Sequence, residues 1–356
     1  MFKKNNTSYI FIAALLLIII IQGNQMRKNE TDPPINNNLV ETANYIKRVQ
    51  IGGSKRVVIL GNGAVFNDDG EVTNFHDRAV IDPIRNKLHD EGYTVISIGL
   101  PCLEPECYSK FFSLANAIVD LEPEAVVFHA VSTGLNTDTL DKFFREANIP
   151  VFTFSRFLNI DFITHVGPDN MLLGKNLAEG LKDEIEKGDK ILYVETVRLI
   201  NGDVNDNGFE RIEGARRLFN NYGAKEVETI FTFWSKTTTY EEVLKILKTD
   251  KEIDYIVTPS QGTAEGAINA VKKLELQDDV KILCLDFNPT IRKLIESGEI
   301  YAAVGQQFYK QSSTLLTDIL KNGDIEDTEV RKQFASEIIT RENLDDFRNE
   351  SGDFLY

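Results

Sequence analysis

Several short apolar runs in this chain end on side chains that could grip a polyhydroxylated molecule. Ser155 and Arg156 follow VFTF, Trp234 closes TIFTF, Ser260 and Gln261 follow YIVTP, Asp286 follows ILCL, and Gln306 follows AAVG. Asp206 and Asn207 fall in a polar loop ahead of the helical pattern Phe209–Tyr222. Aromatic rings stack on the C–H faces of a polyol, while its hydroxyls take directional donors and acceptors in a site that excludes water. Several also have a plain structural reading. Arg156 suits a surface, Trp234 (the single Trp) the lid of a core, and Gln306 a connection between lobes.

Signs of catalysis are few. Gly61-Asn62-Gly63 begins a dinucleotide fingerprint, but Phe66 stands where the third glycine belongs, so no nucleotide cofactor is expected. The sequence contains no GxxxxGK[ST] loop, GxSxG elbow or HExxH pair. With only 4 His and 3 Cys, a metal centre lacks ligands. Cys102 and Cys107 either close a small disulfide loop or remain ordinary thiols, and Cys284 reads as core. A binding protein without cofactor or metal, rather than an enzyme, is expected.

The elements that must position these groups follow from the pattern. Strands are predicted over Arg56–Leu60, Thr94–Ile98, Ala125–His129, Val151–Phe154, Ile163–Val166, Ile191–Glu195, Glu226–Phe233, Tyr255–Thr258, Lys281–Leu285 and Ala302–Gln306. Helical spacing lies between most of them, as in Thr139–Ala147 and Ala264–Leu276. Nearly all-apolar strands alternating with helices form parallel sheets covered on both faces. Ten strands in 356 residues divide most economically into two doubly wound α/β lobes. Ligands of such sheets bind beyond the carboxyl ends of the strands, where the groups named above lie.

The N-terminus points to export. Lys3 and Lys4 precede the apolar run Tyr9–Ile21, which is shorter than a usual membrane span and suits a signal-peptide core. Gln22-Gly23-Asn24-Gln25 offers neither a small-x-small cleavage site nor a lipid-accepting cysteine, so cleavage and retention as a membrane anchor both stay open. Arg27–Asn38 reads as a polar, Pro- and Asn-rich tether. A net charge of −16 excludes nucleic acid as a partner and disfavours anionic lipid.

The stretch IPVFTFSRFLNIDFITHVGPDNMLLGKNLAEGL resembles the type I periplasmic sugar-binding family, whose fold is shared with lactose-repressor-type regulators. In order, GDKILYVE, NDNGFERIEGARRLF, IDYIVTPSQGTAEGAINAV, VKILCLDFN and LIESGEIYAAVGQ continue the likeness over about residues 54–345. SRFLNIDFI…GPDN and the NDNGFERIEG loop are most similar to xylose-binding proteins. The resemblance implies two parallel-sheet lobes joined by three crossovers near Val166–Pro168, Gln306–Gln307 and Lys332–Phe334. It divides the chain into a signal or anchor (1–24), a tether and lead-in (25–53), an N-terminal lobe (54–166 with 307–333) and a C-terminal lobe (167–306 with 334–356). Ligand positions carried over are Arg156, Asn207, Ser260, Asp286 and Gln306, with Trp234 as the stacking ring and Tyr240 as its alternative. Counting back from the Gly92-Tyr93 turn adds Phe75, His76 and Asp77 from the N-terminal lobe; His76 also suits a surface or capping position, and Asp77 equally suits a helix cap.

Three departures alter the acceptor set. Ser155 stands where the family has Asp, Ser260-Gln261 where it has Asn-Asp, and Gln306 where xylose binders have Lys. The expected function is extracytoplasmic binding of a small sugar, a pentose such as xylose, with lobe closure as the signal. The closed form would go to a membrane sensor histidine kinase or, alternatively, to an ABC permease. A degenerate, ligand-free interaction protein is the third reading. The loop Asn62–Asn74 is the candidate partner surface.

Overall fold

A computed structural model describes residues 20–21, 55–62, 84–100, 108–129, 143–154, 163–196, 207–249, 252–306, 329–332 and 335–348. The chain divides into two compact units. The first takes Met1–Gly167 and Tyr309–Lys332, the second Pro168–Phe308 and Gln333–Tyr356, so the chain passes between them three times.

The first unit is built on a seven-stranded sheet of β1 (Ile20–Ile21), β2 (Arg56–Asn62), β3 (Thr94–Leu100), β4 (Ala125–His129), β5 (Val151–Phe154), β6 (Ile163–Gly167) and β12 (Glu329–Lys332). Their order across the sheet is β1-β3-β2-β4-β5-β6-β12. All neighbours are parallel except the two-residue β1, which runs antiparallel to β3. Val57 to Leu60 and Ala125 to Phe128 are buried without a break. A strand covered on both faces has no solvent side on which to place polar residues. α1 (Tyr108–Val119) adds Leu114, Ala115, Ala117 and Ile118 to this core.

The second unit alternates strictly: β7 (Lys190–Glu195), α3 (Asn207–Tyr222), β8 (Lys225–Phe231), α4 (Lys236–Leu247), β9 (Tyr255–Thr258), α5 (Gln261–Lys273), β10 (Lys281–Cys284), α6 (Pro289–Glu296) and β11 (Ala302–Val304). α2 (Asn170–Gly180) leads in and β13 (Ile338–Thr340) returns antiparallel beside β11. The sheet order β13-β11-β10-β9-β7-β8 places β8 and β9 on opposite sides of β7. Consecutive connections therefore diverge at β7, the kind of switch point beyond whose carboxyl end such sheets bind ligands.

Strand pleating sorts the side chains of this unit onto two cores. Leu192, Val194, Ile256 and Cys284 face α4, α5 and α6, where Val243, Ala267, Val271 and Ile291 meet them. Ile191, Tyr193, Val257 and Leu283 face α2 and α3, against Leu173, Leu177, Ile212 and Phe219. Each fully buried Leu, Ile or Phe contributes roughly 1.5–3 kcal/mol. Cys284 is fully buried, as a core thiol should be, and burial pushes its pKa well up. Cys102 and Cys107 lie outside the described residues, as do the Asn62–Asn74 loop beyond Asn62 and the tether.

Element boundaries differ from expectation where helices begin and where strands end. α3 and α5 start at Asn207 and Gln261, two and three residues earlier than the apolar spacing predicts. β8 stops at Phe231, β10 at Cys284 and β11 at Val304, each short of its predicted end. Of Thr139–Ala147, helix is described over 143–146.

Candidate functional site

The polar residues behind the second unit's strands first serve the helices that follow. Asp169 caps α2 by accepting from Leu172 N at 2.9 Å, and Ser235 caps α4 through Thr238 N at 3.1 Å. Asn288 caps α6 through Thr290 N (2.9 Å) and Ile291 N (3.0 Å), with Pro289 in the first turn. Ser260 precedes α5; its N–H donates to Thr263 Oγ1 at 3.2 Å and the two hydroxyl oxygens lie 3.1 Å apart. Strand, cap and helix repeat because every helix start leaves amide donors that need an acceptor. Ser260 thus has a structural duty besides its predicted ligand contact.

Asp286 is different. It is 4 % exposed, lies two residues beyond β10 and caps no helix of its own. Its Oδ2 accepts from Gln261 N at 3.3 Å, and Gln306 Nε2 reaches Oδ1 at the long distance of 3.5 Å. Gln306 is itself buried, behind a β11 exit that is held by Gly305 N donating to Ser336 Oγ at 2.6 Å. Gln261 Oε1 accepts from Asn288 Nδ2 at 2.9 Å, and Gln261 Nε2 donates to Glu265 at 2.8 Å. Burial raises the Glu265 carboxyl, but hydrogen bonds from Lys236 and Gln261 and the Lys236 charge outweigh it, leaving it below the ordinary range. Ends of β9, β10 and β11 are thereby joined in one amide–carboxylate network.

The aromatic group follows β8, which β7 separates from β9 in the sheet, and it is not a strand terminus. Thr232 N donates to Glu195 O (2.9 Å) and Phe233 N to Thr196 O (2.6 Å), after which the chain turns. Phe233 and Trp234 take φ of 51° and 61°, the left-handed region that non-glycine residues seldom occupy. Two such residues in succession store strain, which tends to persist where a site requires it. Phe233 is 68 % exposed and Trp234 half-buried. The Trp234 carbonyl lies 3.5 Å from where a Cβ on Gly262 would stand, so this corner abuts the start of α5. Trp234 therefore belongs to a turn, correcting the expectation that it ends the strand.

Asn207 opens α3 and is half-buried. Arg156, Phe75, His76 and Asp77 lie outside the described residues. The structure thus brings Asp286, Gln306 and the Ser260–Gln261 pair together and sets Trp234 beside them. Gln261, as a linking amide, and Asn288 escaped the sequence reading. The Asn288-Pro289 dipeptide, four residues beyond the end of β10, was the available signal for the second.

Three features of this edge suit reversible recognition of a neutral, hydroxyl-rich molecule: buried acceptors, amides with both polarities, and an adjacent aromatic corner. Among the described residues, no group of three or more His, Cys, Asp or Glu could hold a metal ion.

The chain belongs to the periplasmic binding protein family: the model of the periplasmic binding protein domain matches residues 107–322, more than half of its length. Its fold is that of the type I sugar-binding members, with two parallel-sheet α/β units. One similar structure is an ABC transporter periplasmic solute binding protein from Actinobacillus succinogenes 130z with bound D-allose. It has 19 % identity and a TM-score of 0.66 over 82 % of this chain and 99 % of that one. A second is an ABC transporter solute binding protein from Bacillus halodurans C-125 with bound myo-inositol (17 % identity, TM-score 0.66, 85 % and 100 % covered). A third is a XylFII–LytSN complex (19 % identity, TM-score 0.64, 82 % and 100 % covered). Periplasmic binding is an extracytoplasmic, non-catalytic role. Among the described residues no helix is long and apolar enough to cross a membrane. Of the apolar run Tyr9–Ile21, only Ile20 and Ile21 are among them.

Proposed function

We propose that this chain binds a small sugar, a pentose such as xylose, outside the cytoplasmic membrane and passes the bound state to a membrane sensor kinase. The observation that carries the sugar reading is the network of Asp286, Gln306 and Gln261 at the carboxyl edge of the second unit's sheet. Asp286 accepts from sugar hydroxyls, Gln306 and Asn207 act as donor and acceptor, Ser260 contributes a hydroxyl, and Trp234 covers an apolar ring face. Arg156, Phe75, His76 and Asp77 add contacts from the other lobe. In this reading the sugar shifts the population toward a closed form, which is the signal.

The sensor reading draws on a XylFII molecule whose structure is a complex with another protein, LytSN. It also draws on Gln22–Gln25, which lacks a cleavage or lipidation signal after the apolar run. The transporter reading has its own support, since two similar folds carry the description ABC transporter solute binding protein.

A thermal-shift screen over pentoses, hexoses and polyols tests the first claim. A ligand at 100 times its Kd stabilises by about 2.7 kcal/mol. A panel in which no member raises the melting temperature contradicts sugar binding and leaves the ligand-free interaction protein. For the second claim, a pull-down from membranes with sequencing of the mature N-terminus should recover a kinase with an intact anchor. Recovery of a permease, or a soluble protein starting near Gln22–Gln25, would instead establish transport.

A further inference from the structure

We propose that Arg211 is a positioning residue of the sugar site: a buried guanidinium that fixes the separation between the chain ends carrying Ser260–Gln261 and Asp286. This rests on the sugar reading above. Arg211 lies on the inner face of α3 and is 5 % exposed. One terminal nitrogen donates to Pro259 O at 2.8 Å and to Leu285 O at 3.2 Å; Nε donates to Asn170 Oδ1 at 2.9 Å. Pro259 is the residue before Ser260, and Leu285 the residue before Asp286.

Position makes these contacts informative. The last paired residues of β9 and β10 are Thr258 and Cys284, and the bond from Leu285 N to Thr258 O (2.8 Å) is the final rung between them. Beyond it, nothing in a β-ladder holds the two chains at a set distance. Arg211 takes the carbonyls at the point where the ladder stops. A rigid, planar fork can span two carbonyls and an amide at once, which a flexible ammonium cannot reproduce.

The cost of this arrangement argues for a purpose beyond packing. Burying a cation costs several kcal/mol, and well-packed apolar residues often serve stability equally well. The neighbours on this face of α3 are such residues, Ile212, Ala215 and Phe219. The scaffold under Arg211 is also built for close approach. A Cβ on Gly174 would stand 2.0 Å from Arg211 O, and one on Gly214 would stand 2.2 Å from Met171 O. α2 and α3 thus touch backbone to backbone, which brings Asn170, at the first turn of α2, within reach of the guanidinium.

The test uses the full chain with Arg211→Lys, Arg211→Met and Asn170→Ala. Calorimetric titration with D-xylose, D-allose and myo-inositol, far below the melting temperature, gives affinity separately from stability. Expected is a loss of about tenfold or more for Arg211→Met, a loss partly rescued in Arg211→Lys, and a smaller loss for Asn170→Ala. Affinity unchanged within about twofold, with a lowered melting temperature, would make Arg211 an ordinary structural residue. If the arginine variants do not fold, Asn170→Ala carries the same comparison. If wild type binds none of the three sugars, the sugar reading has failed and hydrogen exchange decides the positioning. Faster exchange confined to 259–262 and 285–288 supports it, whereas no change there, or uniform acceleration across the unit, overturns it.

Discussion

The two edges of the second unit's sheet carry their polar groups in opposite ways. At the carboxyl edge Arg211, Asp286, Asn288 and Gln306 are each more than nine-tenths buried and bonded to one another or to backbone. At the amino edge Lys190–Glu252, Lys272–Glu299 and Lys281–Glu184 are surface ion pairs; the last has exposures of 42 % and 39 %. Lys281 also lies against the rings of Tyr255 and Tyr301. A cavity of about 370 Å³ opens at this amino edge, yet every polar residue in its wall is exposed or half-buried. Exposed pairs are inexpensive and contribute little, whereas buried polar groups are costly unless satisfied. A cavity alone would direct attention to the amino edge. Cost directs it to the other edge, where a sheet of this topology binds its ligands.

The largest expected effect lies beneath the carboxyl edge. Gly174→Ala forces a methyl group against Arg211 O, which is backbone and cannot swing away. Denaturant titration should show a loss at or beyond the upper end of the roughly 1–3 kcal/mol typical of overpacking. A neutral substitution would mean that α2 and α3 can separate freely, and the rigid scaffold assigned to this edge would be wrong.

Next comes Asp286→Ala. Loss of charge-assisted hydrogen bonds to sugar hydroxyls should weaken D-xylose binding by about 1.5–3 kcal/mol, or roughly 10- to 150-fold. Calorimetry on the folded variant reads this directly, and unchanged affinity would remove Asp286 from the site.

The third effect is a pH dependence. Burial pushes the Glu195 carboxyl above its ordinary range; the Arg216 hydrogen bond and charge oppose this, and Glu226 and Glu213 add to it. The native state thus keeps a proton that the unfolded chain releases as pH rises past about 4.3. Stability from this residue falls between that value and the higher native one, then levels off. Glu195→Gln should flatten that part of the stability profile. A profile steeper in the variant would reverse the sign.

The smallest effect belongs to the amino edge. A double-mutant cycle on Lys272 and Glu299 should give a coupling of about 0.2–1 kcal/mol, reduced by salt, with sugar affinity unaltered. A coupling above this range, or a change in affinity, would erase the contrast between the edges.

The fold was largely legible because its strands are buried on both faces. Runs such as Ala125–His129 and Tyr255–Thr258 are apolar up to their last residue, and their boundaries match. Helix starts were less legible, since Gln261 and Asn207 look like loop residues when the helical spacing is read from apolar positions alone. Trp234 was misplaced because TIFTFW continues an apolar run with no glycine to announce the left-handed turn at Phe233. Asp286 and Gln306 were visible as polar residues at strand ends. The bonds joining them were not, because Gln261 and Asn288 meet across 27 residues of sequence. Arg211 was the least legible of all. In FERIEGARRLF it looks like any helical arginine, and its two carbonyl partners lie 48 and 74 residues away.

The most direct test of the central claim is amide hydrogen exchange on the whole protein with and without saturating D-xylose. Sugar bound at the carboxyl edge should slow exchange at 232–236, 259–263, 285–288 and 305–306. Residues 272–281 and 297–301, around the amino-edge cavity, should be unchanged. Protection that appears at the cavity instead, or at neither edge while calorimetry records binding, would contradict the assignment of the site.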